Sequence, residues 1–465
     1  MPTQGELARP SSRHLAERVN SALAGALAAV AVAVVVAITA TAWPILVLPA
    51  VGVLLVVVVA VMRLDLALML LAAAVPLEYS VSFGGGAGSS ITLVKLTGGL
   101  CFLSFIIQLA TRRRHLRIDA THVMLLGILA CLLVSTVAAQ HLDSALPVTL
   151  RYVSYVGLYM VLSSFVGDYR TLERVVWMLS IASAVAGVLA IRNLLIGIDT
   201  RATPTYGDPN DLAYILSSVL PLTLWLLRYR GWARVFVLVL IAIISLADAL
   251  TFSRGAALGL GVAFVWVLFY QRHLIRTALV PILLVLSLVA VVAVAQPQRL
   301  SKALLYKSNV ASANVGHRFD SWRSALELIA THPFAGVGPG NFQYYNAQVD
   351  GRPPTSQDPT VVHNTYLDVG VEVGLPALAL LLAYLATNLR RIRVAIRERI
   401  GPPSFAIAVA GAMIVAIVSA LTLSEQYYAP LWLVGAMVTC IWQDMRMRQP
   451  AGSRAVRAGR LAPRA

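Results

Sequence analysis

ARVFVLVLIAIISLADAL (233–250), TFSRG (251–255) and AALGLGVAFVWVLFYQ (256–271) decide the fold. Each apolar run is long enough, as a helix, to cross roughly 30 Å of hydrocarbon. A five-residue turn joins them, so they read as an antiparallel pair of spans. Runs of the same kind recur in both directions, near 21–42, 45–62, 64–79, 91–110, 121–139, 150–166, 174–194 and 211–228, and then near 276–295, 365–386, 404–424 and 428–443. The 465 residues are 58% hydrophobic and only 12% charged, with a mean hydropathy of +0.78. That charged fraction is roughly half of what a soluble globular domain carries. The pattern excludes a soluble enzyme, a disordered scaffold and a disulfide-stapled secreted module. The fold class is an all-α polytopic membrane protein, a bundle of about 12 to 14 transmembrane helices. The lower count allows for 64–79 and 91–110, which flank the Gly84–Gly88 stretch, being re-entrant or interfacial.

The net charge of +16 is almost all arginine, since lysine occurs only at Lys95, Lys302 and Lys307. Basic residues gather in every second loop: the N-terminus (Arg9, Arg13, Arg18), Arg63, the 112–117 cluster, Arg170/Arg174, Arg228/Arg230/Arg234, Arg272/Arg276, 390–399 and the C-terminal tail. These hold 26 of the 37 lysines and arginines. Such alternation is the signature of topology and not of a nucleic-acid surface, and it predicts an even number of spans with both termini cytoplasmic. Three arginines before the first apolar run imitate a signal peptide, but the run is long and further spans follow, so it reads as an uncleaved first helix. Cys101, Cys131 and Cys440 lie in apolar runs with no metal-site spacing and read as small hydrophobes. The organisation expected is a cytoplasmic tail (1–20), eleven spans with short loops (21–295), a long outer loop (296–364), three last spans (365–447) and a basic cytoplasmic tail (448–465).

The 296–364 loop is unlike the others in length and polarity, and long loops without a role are uncommon. Within it Arg318–Ala330 reads as an amphipathic helix, with Phe319, Trp322, Leu326 and Ile329 on one face and Arg323 and Glu327 placed to pair at i,i+4. His332-Pro333 ends it, and Gly336-Val337-Gly338-Pro339-Gly340 reads as a tight turn.

Polar residues crowd what the charges mark as the outer face. Arg254 sits in a very short outer turn. An isolated arginine there is ordinarily a snorkelling side chain, yet an ionisable group at membrane depth is also a functional candidate. Asp208-Pro209-Asn210-Asp211 opens a span as a turn and helix N-cap would; its two carboxylates on one turn are a poor metal site. His363-Asn364 closes the long loop on the same side, and histidine is the side chain best suited to accept a proton near neutral pH. No phosphate-binding Walker loop, Gly-x-Ser-x-Gly, HExxH or CxxC occurs. Outer-face arginines beside a histidine suit a lipid-linked diphosphate, because guanidinium forks hold phosphate oxygens without a metal.

Four ordered strings carry a resemblance: DPNDLA (208–213), TFSRG (251–255), GHRFDSWRSALELIATHPFAGVGPGNF (316–342) and VVHNTYLDVGVEVGLPALALLL (361–382). Together they resemble the O-antigen ligase / O-antigen polymerase superfamily, over about residues 205–385; the N-terminal third resembles it only as hydrophobic helices. The resemblance implies a helical membrane bundle whose long outer loop caps a cavity. It also implies a glycosyltransferase of the inner membrane that uses an undecaprenyl-diphosphate-linked glycan as donor, with its active site on the outer face. Carried onto this chain, it makes Arg254 and Arg318 the donor-diphosphate ligands and His363 the group that takes or orients the acceptor's proton. Asn210 shapes the cavity, with Asn364 and Trp322 as neighbours. Arg201, in the preceding outer loop, is a further phosphate candidate that no motif fixes. The implied chemistry needs no cofactor and no metal. Besides the bilayer, the implied partners are the donor, a saccharide or lipid A–core acceptor, a flippase that supplies the donor and a chain-length regulator.

Ligase and polymerase share these motifs. The alanine- and arginine-rich, lysine-poor composition suggests a GC-rich genome, a group that includes organisms without lipopolysaccharide, and tips the reading slightly toward a polymerase of O-antigen or exopolysaccharide. A multi-pass transporter or flippase is the competing class. It would place intramembrane charges on both sides of the midplane, where Asp248 is the one exception to the outer-face crowding.

Overall fold

The helices begin and end where the sequence supplies caps. Asp119 and His122 form a capping box at the start of one helix. Asp168 and Asp208 each accept a backbone N–H as N-caps. Gly197 (φ +81°) closes a 28-residue helix in the left-handed conformation.

The computed structural model describes residues 57–78, 80, 82–83, 91–205, 207–270, 294, 297–349, 361–424, 426 and 428–448. In chain order the helices are α1 (Leu64–Leu77), α2 (Leu93–Ala110), α3 (Ala120–Ala138), α4 (Leu142–Ser163), α5 (Tyr169–Ile196), α6 (Pro209–Trp225), α7 (Trp232–Leu250) and α8 (Arg254–Tyr270). They continue as α9 (Pro297–Thr331), α10 (Phe342–Val349), α11 (Thr365–Glu372), α12 (Leu375–Arg397), α13 (Phe405–Ser419) and α14 (Ala429–Arg448). Strands β1 (Ser82–Phe83) and β2 (Ile91–Thr92) form one short antiparallel pair. Seven of the described helices, α2 to α7 and α12, are long and apolar enough to cross a membrane; α1, α8 and α13 are shorter apolar helices. The protein is an all-α polytopic membrane protein. The expected span 21–42, most of 45–62 and of 276–295, the Gly84–Gly88 stretch and the tail beyond 448 lie outside the described residues.

The chain divides into two compact units. In the first, residues 1–71 with 96–115, Gln108 donates to the Met62 carbonyl (3.5 Å). Leu96, Phe102, Leu103, Ile106 and Leu109 of α2 are exposed, an apolar face suited to lipid. In the second, residues 72–95 with 116–465, α6 is the central helix, packed on α5, α7, α8, α13 and α14. Close packing there depends on small residues. A Cβ at Gly259 would lie 2.5 Å from Ser419 Oγ and 3.0 Å from the Val415 carbonyl, so Gly255-x-x-x-Gly259 lets α8 approach α13.

Three expectations are corrected. The span expected at 150–166 begins at Leu142, its first turns being helical despite Asp143 and Pro147. The span expected at 365–386 is two helices: α11 stops at Glu372, Gly374 takes φ +98°, and α12 runs on to Arg397. A side chain at Gly374 would collide with the Phe334 carbonyl, and Leu375 N–H donates to the Pro333 carbonyl (2.8 Å), so the long loop itself wedges the break.

The third correction concerns the amphipathic helix, which is longer than 318–330 and presents a different face. It is part of the 35-residue α9. Trp322, Ala325, Leu328 and Ile329 pack with Val337, Phe342, Val362 and Val371, whereas Phe319 (62%) and Leu326 (56%) are exposed. The period was right and the stripe is rotated, because the buried set runs through Ala325 and Leu328. Arg323 and Glu327 pair as expected at 3.1 Å.

Candidate active site

The 251–255 turn is built to hold an arginine at a helix start. Thr251, fully buried, donates its hydroxyl to the Asp248 carbonyl (2.6 Å) and accepts the Ser253 N–H (3.2 Å). Phe252 is forced to φ +53°, which turns the chain sharply enough for α8 to begin at Arg254. Arg254 is exposed at that first position.

Arg201 ties this turn to α6. Its Nε donates to the Thr251 carbonyl (2.5 Å) and one terminal nitrogen donates to Asn210 Oδ1 (3.1 Å). Ala202 N–H reaches the Leu250 carbonyl (2.9 Å). Asp208 caps α6 by accepting the Asn210 N–H (2.6 Å), with Pro209 at the first helical position. Asp211, on the same turn, instead accepts a hydrogen bond from the Tyr428 hydroxyl.

His363 stands just before α11 in a left-handed conformation (φ +54°), sparsely populated for a non-glycine residue. Its surroundings hold it there. Its N–H donates to Ser424 Oγ (3.1 Å), and Trp322 Nε1 donates to the preceding Val362 carbonyl (2.9 Å). Thr365 N–H donates to the Ala420 and Leu423 carbonyls (2.9 and 3.0 Å). Asn364 accepts the Tyr366 and Leu367 N–H groups (3.0 and 3.1 Å) and is the cap of α11. Strain maintained by this many contacts is a feature of functional sites.

The charges of Asp208, Arg254, Arg318 and His363, from four separate elements, interact. Burial, then the Arg254 charge, pulls the pKa of the half-buried Arg318 guanidinium below its ordinary value, and Asp208 opposes this. Burial and then Arg318 push His363 down from 6.5 to about 4, again against Asp208, so its imidazole is neutral at pH 7. Among the described residues, no carboxylate lies within salt-bridge distance of Arg254 or Arg318.

Of the residues singled out from sequence, Arg254, Arg318 and His363 thus converge. Arg201 and Asn210 form a bonded pair that braces the 251–255 turn. Trp322 and Asn364 position the His363 backbone. Sequence reasoning missed Asp208 as a member of the charge group, because its capping role accounted for it fully. It also missed Ser424 and Tyr428, which lie far along the chain in a stretch without a motif.

Residues 237–382 match the family model described as O-Antigen ligase. The matched stretch contains Arg254, Arg318 and His363 and leaves out Arg201, Asn210, α13 and α14. The match covers less than a third of the chain, and over this stretch the chain is similar to that family. No curated protein matches the chain.

Proposed function

We propose that the protein is an inner-membrane glycosyltransferase that moves an undecaprenyl-diphosphate-linked oligosaccharide onto a saccharide hydroxyl, with its site on the outer face and both termini cytoplasmic. The observation that carries this reading is the convergence of Arg254, Arg318 and the neutral His363 without a carboxylate partner for either arginine among the described residues. Two guanidinium groups held together with no carboxylate in salt-bridge contact among the described residues, and with Asp208 only partly offsetting their charge, suit an anion. A diphosphate offers four or more oxygens to two guanidinium forks.

In the reaction the acceptor oxygen bonds to the anomeric carbon as the bond from that carbon to the diphosphate oxygen breaks. The electron pair leaves with the lipid diphosphate. The hydroxyl proton passes to His363, whose imidazole is free to take it. Charge gathers on the departing diphosphate, so fixed guanidinium groups favour the transition state over the ground state. A single displacement inverts the anomeric centre, and the activated donor makes ATP, a metal or a cofactor unnecessary.

The polymerase reading is preferred on composition. The ligase reading, in which lipid A–core is the acceptor, is favoured by the description of the matching family. Purified protein in proteoliposomes, given a lipid-diphosphate-linked oligosaccharide with and without lipid A–core, separates the two. A ladder from donor alone, lost in His363→Asn and Arg254→Ala, identifies a polymerase; a single shifted band that requires lipid A–core identifies a ligase. Solute uptake with no transfer overturns both in favour of a transporter.

A further inference from the structure

One turn into α11, behind His363, stands a carboxylate that the mechanism does not use. Asp368 is buried, at 3% exposure. Among the described residues no lysine or arginine lies within salt-bridge distance of it. A buried charge is costly unless hydrogen bonds replace its water. Here they come from the segment that leads from α13 to α14. Gln426 Nε2 donates to Asp368 Oδ2 (2.5 Å), and the Ser424 side chain hydrogen-bonds the same carboxylate. Gln426 is itself buried, and its carbonyl accepts the Trp432 indole N–H (3.2 Å). One carboxylate of α11 thus gathers two side chains of this segment.

Ser424 has a second partner, because its Oγ accepts the His363 N–H (3.1 Å). A hydroxyl carries one proton and two lone pairs. The ionised carboxylate can only accept, so it takes the Ser424 proton and leaves a lone pair for the His363 N–H. Without Asp368 the hydroxyl rotates freely and can turn its proton elsewhere. Thr365 ties the start of α11 to the Ala420 and Leu423 carbonyls (2.9 and 3.0 Å), whereas the Ser424 bond is made by His363's own N–H. That bond bears on a residue held at φ +54°, a conformation that its surroundings must maintain.

We propose that Asp368 is a positioning residue for glycosyl transfer: through Ser424 it fixes the His363 backbone, and with it the direction from which the imidazole meets the acceptor hydroxyl. The inference rests on the function proposed above. No bond forms or breaks at Asp368.

The test uses the full chain in lipid nanodiscs, given a lipid-diphosphate-linked oligosaccharide together with lipid A–core. Ser424→Ala and Asp368→Leu are each expected to lower kcat about 10–100-fold with the donor KM unchanged, since misplacing a reacting group by about 1 Å can cost 10²-fold. Ser424→Thr, which keeps the hydroxyl, recovers most of the loss. So does Asp368→Asn, which keeps an acceptor for Ser424; Gln426 Oε1, buried with no partner among the described residues, accepts the new amide N–H once its own amide turns over. In a His363→Asn background Ser424→Ala adds no further loss, as expected of two residues acting through one group. The second readout needs no turnover: solvent exchange of the His363 amide by NMR in 15N-histidine-labelled protein, assigned by its absence in His363→Asn. Exchange is at least 10-fold faster in Ser424→Ala and Asp368→Leu and near wild type in Asp368→Asn. Ser424→Ala carries the test if Asp368→Leu does not fold. Wild-type kcat in Ser424→Ala, an equal loss in the His363→Asn background, or unchanged amide exchange overturns the positioning role. Absence of transfer by the folded wild type overturns the glycosyltransferase reading instead, and the amide exchange still decides whether Asp368 fixes His363.

Discussion

Arg391 of α12 and Arg318 of α9 are arginines of one helical scaffold with opposite surroundings. Arg391 is buried (6% exposed), pairs with Asp119 Oδ2 at 3.1 Å and donates to Thr121 and Thr439 hydroxyls (2.9 and 3.3 Å). Tyr159 donates to Thr121 (2.8 Å), while His122 bridges Asp119 and Ser163 (3.0 and 2.9 Å). This network holds the Asp119 end of α3; the opposite end, at Ala139, meets the Gly338 turn beneath the candidate site. Around Arg318 the interacting charges are another arginine and a single carboxylate. A saturated buried network fixes structure. A like-charge cluster costs stability until an anion arrives, and that contrast is why Arg254 and Arg318, and not Arg391, are proposed to hold a ligand.

Four expected outcomes break or sharpen the contrast. The largest is at His363: His363→Asn, chosen because asparagine tolerates a positive φ, lowers single-turnover transfer by about 10²–10⁴-fold while the melting temperature stays near wild type. Transfer at the wild-type rate would end its assignment. At the opposite end, Arg391→Ala strands the Asp119 carboxylate and destabilises the fold by roughly 3–5 kcal/mol in reversible unfolding, whereas Arg318→Gln leaves stability unchanged or raises it. If both substitutions destabilise equally, the two regions do not differ in kind.

A finer effect is electrostatic. Because Arg318 holds the His363 pKa down, Arg318→Gln raises it from about 4 toward 6.5, incompletely because burial is the larger cause. Asp208→Asn lowers it further. His363 titrations by NMR read both signs. As a base His363 acts in its neutral form, so its contribution is present above its pKa and lost as pH falls through it; Arg318→Gln therefore moves the acid limb of transfer upward. The smallest effect is Asn364→Ala, which removes the α11 cap and costs about 0.5–2 kcal/mol in thermal unfolding.

Most of the scaffold was legible because membrane spans advertise themselves by apolar length, and the site's order along the chain was legible because four strings fall in sequence around one loop. What escaped were consequences of three-dimensional neighbours. Val373-Gly374 reads as helix until Phe334 is seen against it, although Gly374 followed by Pro376 was a break signal in plain view. The stripe of α9 was misplaced because Phe319 and Leu326 are the larger apolar residues, yet Ala325 and Leu328 face Val337 and Val362. Arg201 is a phosphate candidate in the sequence, and nothing there shows that Asn210 and the Thr251 carbonyl hold two of its N–H groups.

The junction between the glycine turn and α11 has a mechanical consequence. Val337 N–H donates to the Val371 carbonyl (2.9 Å) and Gly338 N–H to the Glu372 carbonyl (3.0 Å), with the Leu375 N–H to Pro333 bond (2.8 Å) alongside. Three main-chain rungs rivet the C-terminal part of the long loop to α11, which follows His363, and to the first residue of α12. The end of α9 is thereby held in register with the neighbours of His363, so lengthening the glycine turn by a residue would shift α9 against the histidine even with every side chain of the site still in place.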